Sequence, residues 1–138
     1  MNKSGILAFI SINPVGFIAT VEDGKPHVRG ILMCWADEDG IVFGTGKMKD
    51  FRKQLAANPA VEICYYNLKD NVQVRVSGVV EQEDSIELKK QMAAKFDFLK
   101  LWFEQYGYEF YVPYRLRHGR ATVWTMAANF EPKTYIDL

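Results

Sequence analysis

The sequence has no excess of charge of either sign, because 17 Lys and Arg residues balance 17 Asp and Glu residues over 138 positions. Nucleic-acid-binding domains usually carry a basic footprint, so this balance argues against general nucleic-acid binding. No apolar run approaches the roughly 20 residues that span a bilayer, and the opening residues lack the pattern of a signal peptide. We therefore predict a cytoplasmic protein with neither nucleic-acid nor membrane partners.

Histidine and cysteine are also scarce. His27, His118, Cys34 and Cys64 are far apart in the chain, and no CxxC spacing is present. Protein metal sites need several such ligands at short spacings, so we predict no metal site and two free thiols. The motifs of serine hydrolases, zinc peptidases, P-loop proteins and dinucleotide-binding folds are absent. We name no catalytic side chain, and an enzyme of this sequence would take its reactivity from a cofactor.

Hydrophobic residues, at 49%, are abundant enough to form a full core, and the length predicts a single domain over residues 1–138. Alternating apolar residues between short turn signals predict several strands. Two acidic turns, at residues 22–25 and 37–40, join the first three strands into an antiparallel meander. The predicted strands cover residues 16–21, 27–36, 41–45, 61–66, 72–81, 120–125 and 134–136.

Helical signals are fewer. Residues 3–12 form one candidate, and a short helix is predicted to begin at a cap on Asp50 and to end at Asn58-Pro59. Asp84 and Glu87 resemble a capping box that opens one long helix, which Gly107 would end. Its apolar stripe comprises Leu88, Met92, Phe96, Leu99, Phe103 and Tyr106. Many short strands with few helices predict a small, mainly β barrel with covering helices.

Candidate ligand-binding residues lie in three separate strand segments. The corner formed by Thr45, Gly46, Lys47 and Lys49 offers a hydroxyl, free amides and two positive charges beside a helix start, which suits a phosphate group. A solvated loop whose lysines serve solubility is the alternative.

Two arginines and a glutamine add further donors. Arg29 and Arg75 each lie within a strand, and Gln73 shares a face with Arg75. Both arginines have apolar neighbours on each side, which is unusual for a charge that only faces solvent. Together with the lysine corner, these residues can bind one anionic, hydrogen-bonding ligand. A partner carboxylate or plain solvent exposure is the alternative for each arginine.

The aromatic residues are concentrated near the C-terminal half. Phe96, Phe103 and Tyr106 are predicted to pack into the core from the long helix. From residue 108 to 114 the spacing is irregular and Pro113 excludes a helix, so this stretch is predicted to be a loop that lines a dimer interface or covers a ligand. Trp124 is a further candidate for that wall.

The ordered set of motifs resembles the FMN-binding split-barrel family related to pyridoxamine 5′-phosphate oxidase. The resemblance covers roughly residues 5 to 83. It rests on Asn13-Pro14, Ala19-Thr20, Gly24 to Arg29, Val42 to Thr45, Lys49, Gln54-Leu55, Asn58-Pro59, Val61 and Gln73 to Gly78. It implies a six-stranded split barrel and a homodimer with FMN at the subunit interface.

The same resemblance implies roles for individual residues. Arg29, Gly30 and Ile31 correspond to the strand against the flavin. Thr45, Lys47 and Lys49 correspond to the loop that holds the ribityl phosphate, and Gln73 and Arg75 to a strand that helps to bind the cofactor.

Two departures from the oxidase bear on the reaction. The oxidase places a substrate-binding lysine five residues after the arginine, where this chain has Cys34, and its C-terminal Arg-x-His contact is not matched by Arg115 to His118. We therefore expect an FMN-dependent oxidoreductase that transfers electrons from NAD(P)H to a small acceptor and does not oxidise the B6 vitamer. A flavin carrier or sensor, a haem-binding relative and an OB-like nucleic-acid barrel are the alternatives.

Overall fold

The computed structural model describes residues 1–138 and contains four α-helices, nine strands and a short 3₁₀ turn at Tyr108–Phe110. The helices are α1 (Lys3–Ile12), α2 (Asp50–Ala57), α3 (Ile86–Lys95) and α4 (Asp97–Tyr106). The strands are β1 (Val15–Glu22), β2 (Lys25–Leu32), β3 (Trp35–Asp37), β4 (Gly40–Gly46), β5 (Ala60–Asn67), β6 (Val72–Gln82), β7 (Tyr111–Leu116), β8 (Arg120–Thr125) and β9 (Ile136–Asp137).

The strands form one antiparallel sheet that forks at β6. The main path runs β2-β1-β5-β6-β7-β4-β3, while β8 also pairs with β6 and β9 pairs with β8. The first part of β6 (Val72–Ser77) pairs with β8, and its last part (Val80–Gln82) pairs with β7. This fork gives the split barrel that was predicted. The mainly β class is confirmed, although nine strands replace the expected six.

The predicted strand over residues 27–36 is in fact two strands. The Met33 amide donates to the Pro14 carbonyl (2.8 Å), whereas the Cys34 amide donates to the Val42 carbonyl (2.7 Å). The chain therefore changes partner between β2 and β3, from the β1 side of the barrel to the β4 side. The sequence gives no sign of such a change, because the apolar run from Gly30 to Ala36 continues through it.

The predicted loop over residues 108–114 was wrong, because β7 begins at Tyr111 and all six of its residues are buried. Pro113 is tolerated within this strand because the ladder with β6 covers only Tyr114 to Leu116. Its carbonyl accepts from the Glu83 amide at 3.0 Å on that side, so the missing N–H removes no bond to β4.

The single long helix that was predicted is broken at Phe96, whose backbone is extended (φ −126°, ψ 114°). Met92 and Leu99 are seven residues apart, close to two helical turns, so the apolar stripe runs through the break without losing phase. The caps differ from the prediction by one residue. Ser85 rather than Asp84 caps α3 by accepting from the Leu88 amide, and Lys49 rather than Asp50 is the N-cap of α2.

The core has two parts. Twenty buried residues fill the barrel, with Ile6 and Ile10 of α1 and Ile18, Phe43 and Ile63 of the strands fully buried. A smaller cluster lies between the barrel and the α3–α4 pair. Its members are Cys34, Val42, Leu88, Met92, Leu99, Phe103 and Tyr111. The helix pair is thereby fixed over one side of the barrel, where it forms a wall of the cavity described next.

Candidate functional site

A cavity of about 650 Å³ lies between the barrel and α4. Its volume is within the range of small-molecule sites. One side, called here the polar side, is formed by Arg29 of β2, Thr45 of β4 and Lys49 at the start of α2. The opposite side, called here the aromatic side, is formed by Phe96, Phe98, Trp102, Tyr106 and Phe110.

Arg29 is fixed on the polar side by neutral oxygens. Its Nη1 donates to Thr20 Oγ1 at 2.9 Å and to the Ile18 carbonyl at 3.3 Å, and its Nη2 donates to Gln54 Oε1. The guanidinium carbon lies 4.5 Å from the centre of the Phe51 ring. Arg29 takes part in none of the six ion pairs of the structure. Burial lowers the pKa of Arg29, yet an arginine stays protonated in proteins, so this positive charge remains uncompensated.

The corner between β4 and α2 supplies the other polar groups. Thr45 is buried, whereas Lys47 and Lys49 are exposed and form no ion pair. Lys49 lines the cavity, but Lys47 does not, and the Lys47 amide donates to the Phe110 carbonyl at 2.7 Å. No side chain caps α2, so the Asp50 and Phe51 amides have no intrahelical or side-chain acceptor, whereas the Arg52 amide donates to the Lys49 carbonyl at 3.1 Å. The geometry therefore brings Thr45 and Lys49 to Arg29 and leaves Lys47 outside.

Two glycines lie on the barrel side of the cavity. A Cβ on Gly44 would lie 2.4 Å from the ring and hydroxyl of Tyr111, so the tyrosine ring packs directly against bare backbone. Gly30 and Ile31 line the cavity as predicted, and Gly30 adds no side chain to it. Backbone without a Cβ permits a flat group to approach closely.

Gln73 and Arg75 do not reach the cavity within one chain. They lie on the solvent-facing side of β2, β1, β5, β6 and β8, which is called here the outer sheet face. On this face Arg75 is opposite Cys64, and Gln73 is opposite Trp124. The Arg75 Nε is 2.7 Å from Glu62 Oε1. The structure therefore separates these two predicted ligands from Arg29 and gives Arg75 a carboxylate partner.

The aromatic side contains residues that sequence reasoning had assigned to the core or left out. Leu99 and Phe103 of α4 are buried, but Tyr106 is 61% exposed and lines the cavity. Phe98, Trp102 and Tyr106 are four residues apart, so they form a second stripe on the same helix. The Phe98 and Trp102 rings meet edge to face at 5.1 Å. This spacing was visible in the sequence and is the signal that could have found the wall.

Cys34, which the family resemblance matches to the substrate-binding lysine of the oxidase, lines the cavity. Its side chain is buried, and burial raises the pKa of this thiol to about 12, with Lys95 opposing the shift. The Lys95 ammonium donates to the Cys34 carbonyl. The thiol is thus neutral at physiological pH and adds no charge to the cavity.

Gln54 and Thr20 belong to the site although the candidate residues did not include them. Both are buried, at 7% and 0% exposure, and both contact Arg29. Both residues belong to the motifs that carry the family resemblance, but their contact with Arg29 depends on the fold and on no local pattern. No group of three or more His, Cys, Asp or Glu side chains is placed to hold a metal ion, and no helix has the length and apolarity to cross a membrane.

Comparison with known proteins places this geometry in a family. The family profile described as pyridoxamine 5′-phosphate oxidase matches residues 4–129, so the chain belongs to the pyridoxamine 5′-phosphate oxidase family. The pyridoxine/pyridoxamine 5′-phosphate oxidase of Hyphomonas neptunium is 35% identical over 79 residues. That match covers 56% of this chain and 36% of the oxidase, so the chain corresponds to little more than a third of its curated relative.

Solved structures share the fold at low sequence identity. A nimC/nimA family protein from Clostridium acetobutylicum has a TM-score of 0.77 at 22% identity, covering 98% of this chain and 91% of its own. An FMN-binding, pyridoxamine 5′-phosphate oxidase-related protein from Nostoc punctiforme gives 0.69 at 19%, covering 96% and 88%. A haem-binding protein from Mycobacterium smegmatis gives 0.70 at 18%, covering 99% and 59%. The fold is thus shared by proteins that bind different cofactors.

Proposed function

We propose that the protein binds FMN in this cavity and works as an oxidoreductase. The observation that carries the proposal is the uncompensated charge of the polar side, where Arg29 and Lys49 flank the buried hydroxyl of Thr45 without a carboxylate partner. Such a site stabilises an anion, and a phosphate monoester carries about 1.5 to 2 negative charges at neutral pH. The aromatic side offers the flat apolar surface that a ring system needs.

The residues present fit FMN, and each would have a separate task. Lys49, Thr45 and the free amides at the start of α2 would hold the phosphate, while Arg29 adds a fixed positive charge. The backbone at Gly30 and Ile31 would lie along the ring, and Trp102 and Tyr106 would restrict access to it. FMN supplies the redox chemistry when bound, accepting electrons from a reduced nicotinamide for a small acceptor. Because the cavity is lined by no histidine or carboxylate, the protein's contribution is binding, orientation and exclusion of water.

We further propose that the protein is a homodimer formed through the outer sheet face. Phe17 and Val28 on adjacent strands are 54% and 69% exposed, next to the half-exposed Cys64. A contiguous apolar sheet face is typical of a surface that a partner covers. Gln73 and Arg75 do not reach the cavity within one chain, so only a second copy could bring them to a cofactor. Sedimentation that shows a monomer with one FMN bound per chain would contradict this arrangement.

The phosphate assignment is tested by titrating FMN and riboflavin against the wild type and Lys49→Ala. A charge-assisted hydrogen bond contributes roughly 1.5–3 kcal/mol, so we expect FMN affinity to fall about tenfold to a hundredfold. Riboflavin lacks the phosphate, and its affinity should stay nearly constant. Lys47→Ala is the matched control, because Lys47 has the same charge and exposure but does not line the cavity.

Equal losses of FMN and riboflavin in Lys49→Ala would show that this lysine supports the fold and would contradict the phosphate assignment.

The reaction is tested separately by mixing the FMN-loaded protein with NADH or NADPH in the absence of oxygen. Bleaching of the flavin is expected, together with negligible turnover of pyridoxamine 5′-phosphate because Cys34 replaces the lysine. A flavin that neither nicotinamide reduces would favour a carrier or sensor.

A further inference from the structure

Arg29 is half-buried, yet it has no carboxylate partner of the kind that an arginine inside a protein usually has. Its three protein hydrogen bonds go to a hydroxyl, an amide oxygen and a carbonyl, all of them neutral. A guanidinium has five N–H donors, so two remain for a ligand. The acceptors therefore fix the position of the guanidinium without cancelling its charge.

Thr20 and Gln54 form a closed set of hydrogen bonds with this guanidinium. Thr20 Oγ1 donates to Gln54 Oε1 at 2.7 Å and accepts from Arg29 Nη1 at 2.9 Å, while Gln54 Oε1 also accepts from Arg29 Nη2. Both residues are more than nine-tenths buried and come from different elements, β1 and α2. Lys49 lies at the start of the same helix, α2. These hydrogen bonds therefore connect Arg29 to the helix that begins beside the polar side.

A carboxylate at position 54 would be nearly identical in shape to the glutamine but opposite in its effect. It would form an ion pair with Arg29 and bring the local charge close to zero. The glutamine oxygen gives the same geometry and leaves the charge in place. An amide rather than a carboxylate at position 54 therefore changes which ligand charge the cavity favours, but it does not change the packing.

We propose that Gln54 and Thr20 are positioning residues that hold Arg29 as an uncompensated cation and so make the cavity select a phosphorylated ligand over its unphosphorylated form. This role rests on the proposed function, since it concerns the same phosphate. It assigns the selectivity to two neutral, buried side chains that need not touch the ligand.

The test is the ratio of FMN to riboflavin affinity in Gln54→Glu. We expect FMN affinity to fall about tenfold or more while riboflavin affinity changes less than about twofold. The decline of FMN affinity with added salt should also become shallower, since less charge acts on the phosphate. Gln91→Glu on α3 is the matched control, because it makes the same change in net charge at an exposed position outside the cavity.

Thr20→Val and Thr20→Ser give an independent measurement that introduces no charge. Valine has the shape of threonine without the hydroxyl and should lower the FMN-to-riboflavin ratio severalfold, whereas serine, which keeps the hydroxyl, should preserve it. A purely structural role would lower both affinities together in the two variants.

The outcomes separate this role from the proposed function. A wild-type ratio retained in both Gln54→Glu and Thr20→Val, or an equal loss of both flavins, overturns the positioning role alone. A wild type that binds FMN and riboflavin equally overturns the phosphate site and the role with it.

Discussion

The cavity and the outer sheet face each contain a mid-strand arginine and a cysteine, but the two regions treat them differently. In the cavity, Arg29 is held by neutral oxygens, whereas Arg75 on the outer sheet face lies 2.7 Å from the carboxylate of Glu62. Cys34 is buried, and Cys64 is half-exposed beside Arg75. The comparison teaches that the partners of an arginine, more than its place in a strand, decide whether its charge is available to a ligand.

The largest effect is expected from Arg29→Met, which keeps the side-chain length and removes the charge, and Arg75→Met is the matched comparison. Arg29→Met should weaken FMN binding about tenfold to a hundredfold and riboflavin binding by far less, because the lost charge acts on the phosphate. Arg75→Met should leave the ratio of the two affinities unchanged, since Glu62 already compensates that charge. Isothermal titration of both flavins measures both effects.

The comparison would fail if Arg75→Met reduced FMN affinity as strongly as Arg29→Met. That result would mean that Arg75 acts on the phosphate of a cofactor bound by the partner subunit. Far-ultraviolet circular dichroism of each variant establishes that the fold is intact.

A smaller effect, which does not depend on the charge of the ligand, is expected on the aromatic side. An aromatic contact contributes about 0.5–1.5 kcal/mol beyond area burial, so Trp102→Ala should weaken FMN and riboflavin alike, by roughly twofold to tenfold. Leu101→Ala is the control on the same helix, because Leu101 is 62% exposed and does not line the cavity. A loss confined to FMN would place the phosphate on the aromatic side.

The smallest effect concerns the Cys34 thiol and pH. Burial raises the pKa of Cys34 to about 12, from about 8.5 in an unfolded chain. Between these values the unfolded chain releases a proton that the folded chain keeps, so the free energy of unfolding falls as pH rises above about 8.5. At pH 9 the titration of this thiol should lower the free energy of unfolding by somewhat less than about 1 kcal/mol.

Urea unfolding of the wild type and Cys34→Ala at pH 7 and pH 9 measures this difference. The variant should lose less stability than the wild type between the two pH values. Cys34 should react slowly with an alkylating reagent in the folded protein, because its side chain is buried. Rapid modification of Cys34 in the folded protein would show that the cavity is open to reagents at that point.

Much of the fold was predictable because each signal was local. Alternation predicted β6, and the acidic turns predicted the β1–β2 and β3–β4 hairpins, but the predicted three-stranded meander was wrong because the change of partner after β2 places these hairpins at opposite ends of the sheet. Gly107 ended α4 with φ +80° as expected. The break at Phe96 was not predictable, since no glycine or proline marks it and the apolar stripe keeps its phase. The strand at Tyr111 was missed because Pro113 normally argues against a strand, and only the end of the β6 ladder makes room for it.

Part of the site was also predictable, because the signals for those residues were local. Arg29, Gly30, Ile31, Thr45 and Lys49 line one cavity because short turns bring β2 and β4 to the start of α2. The partners of Arg29 and Arg75 come from residues 9 to 25 positions away or from a neighbouring strand, so the sequence pattern around each arginine did not distinguish them. Gln54 acquires its meaning only from that long-range contact.

The most direct test of the central claim is the absorption spectrum of the purified wild type after saturation with FMN and removal of the free flavin by gel filtration. The account predicts that the protein retains FMN and shows the visible bands of an oxidised flavin, and that riboflavin treated identically is largely lost. Retention of both flavins to the same extent, of neither, or a Soret band in their place would contradict it.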